Sequence, residues 1–173
     1  MLTKDLTVLS YFSSLHPDNR QREYVIKMLA RQLYGDHGNE LFHMHSGYKG
    51  SASNGKTKFF EVLEECLGSY VRKFGVEFLI SKQRPDPGKP MPEFQYWKSR
   101  RIMYCTEPTH TDTLNSGVIR DLTGGKNIQY RLLFSNTVHT FRPQMKQHDL
   151  RNNSPATDGA DQGVQRRIRK EDY

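Results

Sequence analysis

The sequence predicts an α/β sandwich built on a mainly parallel sheet. Segments with strand character alternate with segments of helical periodicity along most of the chain. A G-x-x-x-x-G-K-[ST] stretch, Gly50-Ser51-Ala52-Ser53-Asn54-Gly55-Lys56-Thr57, lies between an apolar run and an amphipathic one. A second apolar run, residues 101–106, stops abruptly at Glu107-Pro108.

The elements follow in order. Pro17-Asp18 opens a helix that runs to about Leu33, with Tyr24, Val25, Met28, Leu29 and Leu33 at helical spacing and Gly35 at its end. Residues 41–45 read as a buried strand, and residues 58–67 as a helix with an apolar face stopped by Gly68. Residues 70–80 mix β-branched and aromatic side chains and should contain a short strand. Residues 81–92 form a loop by their Pro and Gly content, and residues 92–97 a short helix. Residues 101–106 are a second buried strand. Residues 114–122 are helical, broken by Gly124-Gly125. Residues 128–134 and 138–141 are expected to pair as a hairpin around Ser135-Asn136. Residues 155–163 read as a loop, and Arg166-Arg167-Ile168-Arg169 closes the chain.

Composition bounds the rest. The chain has 173 residues, one domain's worth, and only 35% are hydrophobic, with a mean hydropathy of −0.81, so the core must be lean. The net charge of +7 and pI near 9.4 favour a polyanionic partner over scattered solvated charge. Cys66 and Cys105 are far apart, form no C-x-x-C, and read as two buried thiols in a reducing compartment. No run approaches a membrane span and no apolar signal segment opens the chain, so a soluble intracellular protein is expected.

The motif at 50–57 carries phosphate chemistry. Its glycines let the backbone curl so that successive N–H groups point at phosphate oxygens, and the helix that follows adds its positive end. Lys56 places a compact charge on the outer phosphates, and Thr57 offers a hydroxyl to Mg²⁺. Hydrolysis also needs an acid beside the γ-phosphate, and Glu107, at the end of an apolar strand, fits.

In its order of motifs the chain resembles the superfamily 3 helicases, and within them the primase–helicases of poxviruses and other large DNA viruses with their phage and plasmid relatives. The matching segments are Asn54-Gly55-Lys56-Thr57, Leu67-Gly68-Ser69-Tyr70, residues 99–108, residues 122–131, Phe141-Arg142-Pro143, Asn152-Asn153-Ser154-Pro155 and residues 163–168. The resemblance implies a three-layer α/β/α P-loop (AAA+-like) ATPase with a mainly parallel central sheet. It implies hexameric rings that move along single-stranded DNA with ATP and Mg²⁺, in the host cytoplasm or at a viral replication site. Residues 1–35 would be a helical lead-in and residues 36–173 the ATPase core, a fragment of a longer protein.

Residue by residue, the resemblance makes Lys56 the phosphate contact, Thr57 and Glu107 the Mg²⁺ side of the site, and Glu107 the catalytic acid. Asn152 resembles the sensor of the γ-phosphate or attacking water. Arg166 or Arg167, with Arg167 preferred, resembles an arginine finger offered to a neighbouring subunit. Lys126, Tyr130 and Arg131 would contact DNA near a hairpin, with Tyr130 as a base platform. Composition alone reads Lys126 as a solvated loop residue, Tyr130 and Phe134 as core, and Arg166-Arg167 as a basic tail.

Three features depart from the family pattern. Thr106 precedes Glu107, so there are no paired acids. Lys126 stands where many members carry Asp. Residues 145–151, which should form the central strand before Asn152, are mostly polar, as are Lys170-Glu171-Asp172. Central parallel strands normally read as apolar runs, so these strands either lie at an edge or form poorly, or the sequence is a divergent, altered or degraded copy. The motif by itself also suits a nucleotide or small-molecule kinase, although no Asp/Arg-rich lid or acceptor pocket is recognisable. A non-catalytic nucleotide- or DNA-binding module is the third alternative.

Overall fold

A computed structural model describes residues 10–35, 40–47, 55–80, 89–106, 113–152 and 162–172. Helix α1 (residues 10–15) leads into α2 (Asn19–Gln32), which starts where the Asp18 carboxylate accepts from the Gln21 N–H at 2.8 Å. Strand β1 (Phe42–Ser46) is buried along its whole length. Helix α3 (Lys56–Leu67) follows, entered through Gly55 at φ 81° and left through Gly68 at φ 53°. Both glycines have a positive φ that other residues resist, and a Cβ on Gly55 would also meet Leu15 at 2.6 Å.

The expected strand in residues 70–80 is only β2 (Val71–Lys73); the chain then turns into the short helix α4 (Glu77–Ile80). A 3₁₀ turn over Pro92–Tyr96 precedes β3 (Ile102–Thr106). Helix α5 (Ser116–Thr123) is capped by Asn115, whose side chain accepts from the Val118 N–H. Strands β4 (Ile128–Arg131) and β5 (Val138–Phe141) pair antiparallel as the expected hairpin, apart from the main sheet. Strand β6 (Lys146–Leu150), helix α6 (Gln162–Gln165) and strand β7 (Ile168–Asp172) complete the described chain.

Five strands form one parallel sheet in the order β2-β3-β6-β1-β7. Strand alternation sends side chains to two layers. Ile102 and Tyr104 join Val25, Leu29, Phe59 and Phe60 under α2 and α3. Met103, Cys105, Phe42 and Met44 join Val118, Ile119, Leu122 and Val164 under α5 and α6. The fold is thus the three-layer α/β/α architecture with a parallel central sheet.

The polar segment 145–151 corrects the sequence reading. β6 is neither an edge strand nor poorly formed: it lies between β3 and β1, with Gln147, His148, Asp149 and Leu150 buried. Its His148 is paired with side chains distant in sequence, whereas Gln147 donates to the Met145 carbonyl within its own segment. The Gln32 side chain, with one carbonyl and one amide group, joins three histidines in a hydrogen-bonded chain. His45 Nε2 donates to His148 Nδ1 at 2.7 Å, and His148 Nε2 donates to Gln32 Oε1 at 2.8 Å. Gln32 Nε2 then donates to His43 Nε2 at 3.3 Å, and His43 Nδ1 faces Glu171 Oε1 at 3.5 Å. The three rings also stack, with His43–His148 and His45–His148 centroids 4.8 and 5.0 Å apart. On the opposite face Asp149 accepts from the Cys105 thiol and pairs with Arg151. β7, which carries Lys170-Glu171-Asp172, does lie at an edge. Cys105 is buried as expected, whereas Cys66, on α3, is exposed.

Candidate nucleotide and nucleic-acid site

The segment between β1 and α3 carries the phosphate motif. Of the motif, Gly50, Ser51, Ala52, Ser53 and Asn54 lie outside the described residues. Gly55 supplies the left-handed entry to α3, and Lys56 and Thr57 are its first two residues. Lys56 is only 5% exposed, and burial pulls its ammonium below the usual lysine range. A buried cation at a helix start, where the first backbone N–H groups have no intrahelical acceptors, suits an anion. Thr57 is exposed beside it. Behind the turn lies the histidine stack. Burial holds His45 well below the ordinary imidazole range, and neighbouring His43, His16 and Lys56 add to the depression. His148 is depressed in the same way, by burial first and then by His43 and His45.

The sheet order decides what stands beside this turn. Leu150, at the end of β6, is in register with His45 on one side and Thr106 on the other. The Arg151 N–H continues the ladder by donating to the His45 carbonyl at 3.0 Å. Asn152 follows at once and is exposed. The strand carrying Asn152 therefore lies between the strand that feeds the phosphate motif and the strand that leads to Glu107. Glu107 itself lies outside the described residues.

The two arginines differ. Arg167 is buried; its guanidinium donates to Glu40 Oε2 at 2.6 Å and to the Gly163 carbonyl at 3.0 Å. Arg166 is exposed and reaches the same Glu40 oxygen at 3.1 Å. The preference for Arg167 as the residue offered outward is therefore at odds with its packing, and Arg166 is the accessible one.

At the hairpin, Lys126 is exposed and lines a cleft of about 310 Å³ with Asp121, Gln129 and Thr140. Arg131 is half-buried, and its carbonyl accepts from the Met91 N–H. Tyr130 is not placed as a base platform. It is 5% exposed, packed edge-on against Phe141 at 5.9 Å and stacked on His139 at 5.3 Å. Phe134, expected in the core, is instead fully exposed at the hairpin tip beside exposed Leu133, with a left-handed φ of 57°. The sequence held one signal for this: Leu132-Leu133-Phe134 is an apolar run where a hairpin turn should be polar.

No family model matches the chain. It is similar to "Putative helicase L207/L206" of Acanthamoeba polyphaga mimivirus, 30% identical over 159 residues that make up 92% of this chain and 16% of that protein. This chain is a relative of proteins named as helicases in large DNA viruses. "Putative helicase 022R" of Frog virus 3 (isolate Goorha) is 26% identical over 94% of this chain and 16% of its own length. "Putative helicase 184R" of Invertebrate iridescent virus 6 is 25% identical over 70% of this chain and 12% of its own. The chain thus spans a small part of each of these viral relatives. The apo structure of the NrS-1 C-terminal region shares the fold, with a TM-score of 0.56 at 12% identity over 95% of this chain and 36% of that one. The resemblance to the large-DNA-virus primase–helicase type, stated from the motifs, is borne out by these relatives. Among the described residues no helix is long and apolar enough to cross a membrane.

Proposed function

We propose that the chain is the ATP-hydrolysing core of a superfamily 3 helicase of the viral primase–helicase type, within a longer protein, moving along single-stranded DNA as a ring of like subunits. Residues 36–173 are that core and residues 1–35 its lead-in. The observation that carries this reading is the sheet order, which sets the strand before Asn152 between the phosphate-motif strand and the strand leading to Glu107. A simple phosphate-binding loop has no need of that third, flanked element.

In this reading the N–H groups at the start of α3 and the Lys56 ammonium hold the β- and γ-phosphates of ATP. Desolvation already disfavours the Lys56 charge, so an arriving phosphate relieves a standing cost. The Thr57 hydroxyl, exposed in the first turn of α3, fits a Mg²⁺ ligand of hard oxygen type, and Glu107 is the carboxylate of the site in this reading. When bound, the cation would neutralise phosphate charge. Glu107 takes a proton from water as its oxygen attacks the γ-phosphorus and the bond to the ADP oxygen breaks. Asn152 orients that water or an oxygen of the γ-phosphate. Arg166 reaches a neighbouring subunit's nucleotide after leaving Glu40. On the nucleic-acid side, Lys126 and Arg131 meet phosphates, and Phe134 at the hairpin tip takes the stacking role expected of Tyr130.

Glu107→Gln tests the chemistry directly, because it keeps the side chain's shape and removes its basicity. The variant should bind ATP as the parent does and lose turnover. Parental turnover by Glu107→Gln would remove Glu107 from the mechanism.

A further inference from the structure

A second basic surface lies at the opposite end of the sheet from the phosphate motif. Residues 69–73 (Ser-Tyr-Val-Arg-Lys) and 96–101 (Tyr-Trp-Lys-Ser-Arg-Arg) are ordinary when read apart. The parallel pairing of β2 with β3 brings them together, just before the two strands begin. The Arg101 N–H donates to the Tyr70 carbonyl at 2.8 Å. The Arg100 guanidinium donates to the Ser69 carbonyl and, at 2.7 Å, to that of Tyr96. The joined segments hold Arg72, Lys73, Lys98, Arg100 and Arg101 and contain no carboxylate, in a chain whose net charge is +7.

Tyrosines stand among these cations. Tyr70 and Tyr96 are 51% and 52% exposed. The Arg72 guanidinium lies 4.8 Å from the Tyr96 ring centroid, and Arg101 lies 5.7 Å from that of Tyr70. Buried Trp97, packed against Phe74, Phe78 and Phe94, anchors the segment from below. Arg101 is further tied to the Leu33 carbonyl and Gln144, so it holds the platform, while Arg72, Lys73 and Lys98 are exposed.

A charged, three-residue edge strand has a plain use: it discourages edge-to-edge pairing. That use needs charge but not two half-exposed rings with guanidinium groups laid beside them. The same shortness and charge make β2 a poor template for an added peptide strand. Flat rings interleaved with cations suit unpaired bases and the phosphates between them. We propose that the β2 edge is a single-stranded nucleic-acid contact surface, separate from the hairpin, with Tyr70 and Tyr96 stacking on bases and Arg72, Lys73 and Lys98 meeting phosphates.

The test is a salt titration of the whole chain binding a fluorescent oligothymidylate without ATP. The triple variant Arg72→Gln/Lys73→Gln/Lys98→Gln should flatten the log–log salt slope by about 0.7 for each phosphate no longer neutralised, up to about 2 in all. Tyr70→Ala/Tyr96→Ala should weaken binding roughly 5- to 150-fold per base unstacked while leaving the slope in place. Tyr70→Phe/Tyr96→Phe should restore it. Ultraviolet crosslinks should map to Tyr70 or Tyr96 and persist in Lys126→Ala, which separates this surface from the hairpin. Parental affinity and slope in folded edge variants would leave the charges as an edge guard and overturn the proposal. Altered self-association of those variants with unchanged DNA binding would make the edge a protein interface, and would also overturn it.

Discussion

Lys56 carries its charge into the protein, and that makes it the most exposing single substitution. Lys56→Ala removes a desolvated ammonium from a helix start, so the fold should persist with an unchanged thermal midpoint while ATP turnover falls to background. The neighbouring arginines should separate by opposite effects. Arg166→Ala should spare both stability and ATP binding and lose hydrolysis, because its guanidinium is exposed and among the described residues pairs with Glu40. Arg167→Ala should destabilise the chain by about 1–3 kcal/mol, because it breaks charge-assisted bonds to Glu40 and the Gly163 carbonyl at a buried position. Denaturant unfolding and nucleotide-binding titrations of the two variants check both statements. The sequence showed that an Arg pair was present. It did not show which member faces out, because that depends on Glu40, more than a hundred residues upstream.

At the scale of elements, local pattern served where burial is decided locally. α2, α3, β1 and β3 follow their periodicity, their caps and their glycine stops closely. β6 defeated pattern because its buried His148 is paired with Gln32, His43 and His45, more than a hundred residues away. No window along the chain can display that pairing. The hairpin tip failed for the reverse reason: Phe134 is apolar and nevertheless outside the core.

Each element makes its own prediction. His45 and His148 are held neutral in the fold, so the unfolded chain binds more protons than the folded one below about pH 6.5. Stability is therefore fully present above that pH and is lost as the pH falls toward the depressed folded values. The loss should approach about 1.4 kcal/mol per pH unit for each histidine. His148→Gln should roughly halve that acid sensitivity, as read from urea unfolding across pH 5 to about 7. At the hairpin, Lys126→Ala should flatten the salt dependence of single-strand binding by about 0.7, and Phe134→Ala should weaken binding without changing the slope. A Phe134→Ala variant that binds like the parent would return the tip to a bare turn.

At the scale of the whole molecule, the proposed nucleotide site draws on residues of this chain and on an arginine from a neighbouring subunit. Strand β1, which feeds the phosphate motif, β6 before Asn152 and β3 before Glu107 finish at one end of the sheet, whereas Arg166 stands exposed at the other end, just before β7 begins and beside Glu40. An arginine supplied in trans is worth on the order of 10³–10⁵ in rate in GTPases. Mixing Arg166→Ala with Lys56→Ala should accordingly rescue part of the activity that each lacks alone. Some interfaces would then join an intact turn to an intact arginine. The resemblance to viral helicases was legible in the motifs, while the strand order that gives those motifs a common edge needed the structure.

In the proposed function this chain turns over ATP in response to single-stranded DNA when subunits meet. The most direct test follows ATP turnover per subunit against protein concentration, with and without single-stranded DNA, for the parent and Lys56→Ala. Turnover should rise with concentration, rise further with DNA, and vanish in Lys56→Ala. Turnover that ignores both concentration and DNA, or none at all in demonstrably assembled protein with DNA present, would contradict it.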